Sequence, residues 1–181
     1  MKAIQRTFTL LAGALLATGL FAQAVVDLPN SAQSTVLTAN VSEQAKVTVP
    51  SGITFNVLDI TAITTAPAAS VTVSNIALAT ATKQLKISVQ AAAAVFTPSV
   101  DGAVTWAVGD VSWLGTGWTT STGAAGTLIE SAYHEVATCD ADAAGCANAA
   151  LSFKLAAKGT VKRSGSHTLG ITWKFESIAG A

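Results

Sequence analysis

HTLGITWKFES, residues 167–177, sets Leu169, Ile171, Trp173 and Phe175 on one side of the chain and Thr168, Gly170, Thr172 and Lys174 on the other. A two-residue repeat of this kind matches a strand with one buried and one solvated face, and a helix would scatter the same residues around its axis. The spacing recurs. KVTVP pairs Val47 with Val49, ITFNVLD groups Ile53, Phe55 and Val57, and SVTVSN groups Val71 and Val73. QLKISVQ sets Leu85, Ile87 and Val89 against Lys86 and Ser88, YHEVAT covers 133–138, and LSFKLAAK sets Leu151, Phe153 and Leu155 against Ser152 and Lys154. Turn residues separate these runs at Pro50-Ser51-Gly52, Thr65-Ala66-Pro67, Asp101-Gly102, Gly115-Thr116-Gly117, Thr122-Gly123 and Arg163-Ser164-Gly165. Short strands at near-regular spacing, with no long amphipathic helix between them, predict an all-β chain, and specifically an immunoglobulin-like antiparallel β-sandwich. Gln90-Ala91-Ala92-Ala93-Ala94-Val95 has high helix propensity but runs straight into Phe96-Thr97-Pro98. It reads as strand, with alanines where two sheets approach closely.

The N-terminus follows a different rule. Lys2 and Arg6 precede an apolar run from Phe8 to Phe21, and small residues follow at Ala22 and Ala24. That order is a secretory signal peptide, 1–24, with cleavage expected after Ala24. The competing reading is an uncleaved membrane anchor, for which the run is short and broken by Thr and Gly. Residues 25–34, VVDLPNSAQS, read as an extended N-terminal arm, and 35–181 as a single β-sandwich domain. Removal of 24 residues leaves 157 of the 181, enough to bury a core without a metal or many disulfides. It also removes Lys2 and Arg6, so eight of the ten basic residues face ten acidic ones, a formal charge of minus 2. No nucleic acid and no anionic membrane surface is expected as a partner, and no membrane span after signal removal. Only 11% of the chain is charged while 50% is hydrophobic, so Thr, Ser, Ala, Gly, Asn and Gln must build much of the surface. Such a surface offers little electrostatic protection against association, and neutral exposed strands template partner strands.

CDADAAGC, residues 139–146, contains both cysteines. An EF-hand-like calcium loop needs oxygen ligands at its first, third and fifth positions and a later glutamate. Asp140, Asp142 and Gly145 fit the first, third and sixth, but Ala144 stands fifth and no carboxylate closes the loop. A redox pair needs C-x-x-C spacing, whereas six residues intervene here. In an oxidising compartment Cys139 and Cys146 are expected to form a disulfide that clasps the loop before LSFKLAAK.

No catalytic constellation stands out, and no cofactor or metal site is expected. His134 and His167 lack a third ligand nearby in sequence, and the chain has no G-x-S-x-G turn to strain a nucleophile. Gly165-Ser166-His167 reads as an ordinary turn. Trp106, Trp113 and Trp118 lie within thirteen residues and form the candidate ligand-binding group, because exposed indoles can stack on sugar rings while buried ones fill sandwich cores. Val111 and Trp113 share a face, which favours core for Trp113; Trp118, flanked by glycine and threonines, is the one expected to be exposed.

SGSHTLGITWKFES, residues 164–177, resembles the closing strand of bacterial secreted immunoglobulin-like sandwiches and is similar to the terminal motif of WxL wall-binding domains. It departs from the latter in having Trp173-Lys174-Phe175, with phenylalanine where leucine is expected; VSWLGTGW is a loose match to the earlier motif. The resemblance implies a cell-surface location and, for the WxL likeness, noncovalent peptidoglycan binding. The expectation is an exported, non-enzymatic bacterial surface protein, secreted or held at the cell surface, acting as an adhesive or self-assembling structural subunit of a pilus or filament kind. Its partners would be copies of itself or other surface proteins, and cell-wall or extracellular polysaccharide. The alternative is a polysaccharide- or peptidoglycan-binding module, and a hydrolase with a cryptic site is the remote third.

Overall fold

A computed structural model describes residues 35–180. The expected signal peptide 1–24 and arm 25–34 lie outside the described residues. Residues 35–39 are irregular and exposed; Asn40–Ala181 is a compact unit by itself. Eleven strands run through it: β1 (Gln44–Thr48), β2 (Thr64–Thr65), β3 (Ala69–Ala77), β4 (Lys83–Ala91), β5 (Val111–Trp113), β6 (Ser121–Gly123), β7 (Gly126–Thr127), β8 (His134–Cys139), β9 (Gly145–Leu151), β10 (Phe153–Leu155) and β11 (Ile171–Ala179). A 3-10 turn at Val108–Asp110 is the one helical element among the described residues.

All the strand pairs are antiparallel, and they form three sheets, ordered β1-β3-β9, β2-β10-β5-β7 and β11-β4-β8-β6. Only Ser152 separates β9 from β10, so one strand track carries the chain from the first sheet into the second. The result is the all-β sandwich expected from the alternation, with one layer divided in two. Val71, Leu151, Phe153, Leu155, Val111 and Trp113 from the divided layer meet Val89 and Val136 from the third sheet in the larger apolar core. Burying a side chain of this size contributes about 1.5–3 kcal/mol, so the period-two positions of β3, β4, β9 and β10 carry much of the fold's stability. A smaller core gathers Val73, Leu85, Ile87, Ala137, Cys139 and Cys146.

The chain departs from the sequence reading in four places. Val47 is 41% exposed although Val49 packs on the core. β1 is an edge strand with an irregular register at its start, and pairing stops at Thr48, so the two valines do not share one regular face. Residues 53–57, expected as a strand, keep the alternation in burial but form no strand. Ala91 ends β4, and Ala92, Ala93 and Ala94 form an exposed bend rather than a close sheet approach. β9, GCANAAL, falls where a loop was expected. It is a strand because it has β3 to pair with, from Ala69↔Leu151 to Ser74↔Gly145.

Candidate functional site

The tryptophan group is mostly interior. Trp106 and Trp113 are buried, and each indole N–H finds a carbonyl: Trp106 Nε1 donates to Ala156 O at 3.0 Å, and Trp113 Nε1 to Ala124 O at 2.8 Å. A buried indole needs such a partner, and having one frees its rings to pack. Trp118 is half-buried and touches both cores, and its Nε1 lies inside the protein without a hydrogen-bond partner among the described residues. The three rings therefore do not present a common exposed platform.

Each histidine seats edge-on against one of the buried indoles. His167 meets Trp106 with ring centroids 5.4 Å apart, and His134 meets Trp113 at 5.3 Å. His134 Nδ1 lies 2.8 Å from the Thr127 carbonyl, which can only accept, so that nitrogen donates. His167 Nε2 donates in the same way to Arg163 O at 3.1 Å, and its Nδ1 lies 2.8 Å from the Thr105 hydroxyl. Both rings are held by hydrogen bonds, His134 to β7 and His167 to loop residues, rather than aimed at each other. The Asp110 carboxylate is likewise occupied, accepting from Ala107 N–H at 2.7 Å and from Lys158 Nζ at 2.9 Å.

The loop 139–146 is closed by a Cys139–Cys146 disulfide, with Cα atoms 5.8 Å apart. Its placement differs from a clasp on a simple hairpin. Cys139 ends β8 in the third sheet and Cys146 lies in β9 of the first, so the bond ties the two layers together inside the smaller core. Asp140 and Asp142 are exposed, and Asp142 has φ 58°. Among the described residues, no three or more His, Cys, Asp or Glu side chains cluster as a metal site would require.

The feature that sequence reasoning missed is a cavity of about 1140 Å³ in the open flank of the sandwich. Its apolar lining includes Phe96, Trp106, Leu128, Phe153 and Leu155 from the main core. The chain 49–57 forms one side, and the turn 161–170 with Ile171 and Trp173 of β11 forms another. Among the described residues, Lys162, Arg163 and His167 are the titratable ones in its lining, and no carboxylate or thiol lines it. The alternation in ITFNVLD contained part of the signal, because it placed an apolar face there. What it could not supply was the space opposite.

Three surface carboxylates, Glu43, Asp59 and the half-buried Glu176, are held below their ordinary range by partners. Glu43 accepts from Lys83 Nζ at 2.8 Å, from Ala79 N–H at 2.7 Å and from the Ser177 hydroxyl at 3.2 Å, with Lys83 the strongest influence. It thereby ties the chain before β1 to the β3–β4 turn and to β11. Asp59 is lowered by the hydroxyl and then the N–H of Thr61, and Glu176 first by its hydrogen bond to Lys174. These are structural ties at the surface.

Among the described residues, no helix is long and apolar enough to cross a membrane. No family model, curated protein or solved structure matches this chain.

Proposed function

We propose that the chain is an exported, non-enzymatic bacterial surface protein that works as a self-assembling structural subunit. The observation that carries this reading is β11. Its nine residues pair with β4 along their whole length, from Ile171↔Ala91 to Ala179↔Lys83, and among the described residues its other side is a sheet edge. A long free edge offers a row of backbone donors and acceptors to another chain. The charges on β11 do little to repel one: Lys174 and Glu176 pair with each other at 2.6 Å, and Lys86 also lies 3.6 Å from Glu176. The low charge of the chain as a whole works in the same direction.

Export is supported by the signal-like 1–24 segment and by a disulfide of the kind that persists in oxidising compartments. The interior position of Trp106 and Trp113 favours assembly over sugar stacking.

Immunogold electron microscopy of the native host tests the proposal. Label on polymers outside the cell is the expected result, and label confined to the cytoplasm contradicts it. Wall-fragment or glycan capture that is lost on Trp118→Ala would favour the binding module instead.

A further inference from the structure

One wall of the cavity is an edge strand and another is irregular chain, and among the described residues neither is hydrogen-bonded across it. One wall is the free edge of β11, which brings Ile171 and Trp173 to the lining. The other is 49–58. There Ile53, Phe55 and Val57 pack towards the core while Thr54 and Asn56 are exposed, as in a strand. Yet among the described residues this stretch shows a single backbone hydrogen bond, from Val57 N–H to Phe55 O. A half-buried wall with a strand's alternation and, among the described residues, unpaired backbone groups is open to an added strand. The cavity, at about 1140 Å³, is also larger than the ~300–1,000 Å³ usual for small-molecule sites.

A candidate for that neighbour lies elsewhere in the same sequence. Val36, Leu37 and Val41 are 88%, 93% and 74% exposed, in a stretch without regular structure. In an extended chain Leu37, Ala39 and Val41 fall on one face, with the small alanine between two larger anchors. Residues 28–42 carry no charged side chain, so this chain can enter an apolar cleft without stripping water from an ion.

Resting on the assembly reading above, we propose that the cavity receives residues 35–41 of a second copy as an added strand. The inserted backbone hydrogen-bonds to β11 and to 49–58, as in β-augmentation, and Leu37 and Val41 fill the apolar lining. Lys162 and Arg163 are exposed and stay in water at the mouth. Donor and acceptor are different surfaces of one chain, so the contact is head-to-tail and propagates into an open filament.

The test uses two variants of the chain lacking 1–24, followed by sedimentation and circular dichroism. Leu37→Asp removes the donor anchor at an exposed position, and Leu169→Asp places a charge in the lining. Each variant alone should be a folded monomer, with association weakened about a hundredfold or more relative to the unaltered chain. Mixed together, they should form a 1:1 dimer that grows no further, because one usable strand meets one usable cavity. A synthetic peptide of residues 34–42 should raise the melting temperature of the Leu37→Asp chain and slow amide exchange in β11, whereas the same peptide carrying Asp at position 37 should not. The peptide arm decides the matter even if Leu169→Asp fails to fold. Unchanged polymerisation of Leu37→Asp would overturn the added strand and leave assembly standing. A lower melting temperature for dilute Leu37→Asp monomer would show that the segment serves its own chain, and would also overturn the proposal. If the unaltered chain stays monomeric at every concentration, the assembly reading itself fails.

Discussion

Glu43 shows how much one exposed side chain can organise. Its carboxylate takes three donors from three parts of the chain, and these partners favour the charged form. Its pKa is lowered from an ordinary 4.5, so folding gains from the ionised group above that value, and the gain disappears as the pH falls through the lowered one. Glu43→Gln should therefore lower the melting temperature at neutral pH, with the gap to the native chain closing as the pH falls below the ordinary carboxylate value and through the lowered one. A gap that is constant with pH would show that the charge contributes nothing. Gly126 makes a steric argument at the same scale. A Cβ there would lie 2.6 Å from Trp113 Cζ2 and 2.9 Å from His134 Cε1, both in the edge-on ring pair. Gly126→Ala should cost about 1–3 kcal/mol in denaturant titration, the usual penalty for overpacking. Trp113 was legible as core because it alternates with Val111. Trp106 was not, since its burial depends on the Ala156 carbonyl, fifty residues away in sequence.

Among the elements, alternation was readable wherever large apolar residues marked it, as in β3, β4, β10 and β11. β9 escaped because its inward positions before Leu151 hold Cys146 and Asn148 rather than branched aliphatics. Asn148 can be buried only because its side-chain amide donates to Thr116 O at 2.8 Å and its carbonyl accepts from Ala150 N–H at 3.0 Å. No local pattern announces such partners. The opposite error occurred at 53–57, where alternation recorded burial correctly and pairing wrongly, because a period-two pattern says nothing about a neighbouring strand. CDADAAGC was legible as a disulfide from cysteine count and context, but its position between layers followed from β9. Cys139→Ala with Cys146→Ala should cost about 2–3 kcal/mol in the chain-entropy model, read from denaturant midpoints. The disulfide-free protein should still fold, because the larger core does not include either cysteine. Loss of all cooperative unfolding would contradict the assignment of stability to that core.

For the whole molecule, a sandwich with an open flank joins three facts that local pattern left separate: a low-charge surface, a β11 edge unpaired among the described residues and an apolar cavity beside it. The two-layer core accounts for the fold, while in the proposed assembly the open flank would offer another chain both hydrogen bonds and apolar contact. Sedimentation velocity of the chain lacking 1–24, taken across a wide concentration range at neutral pH, is the direct measurement. The account predicts a distribution that moves to larger species as concentration rises. A single species of monomer mass throughout would contradict it.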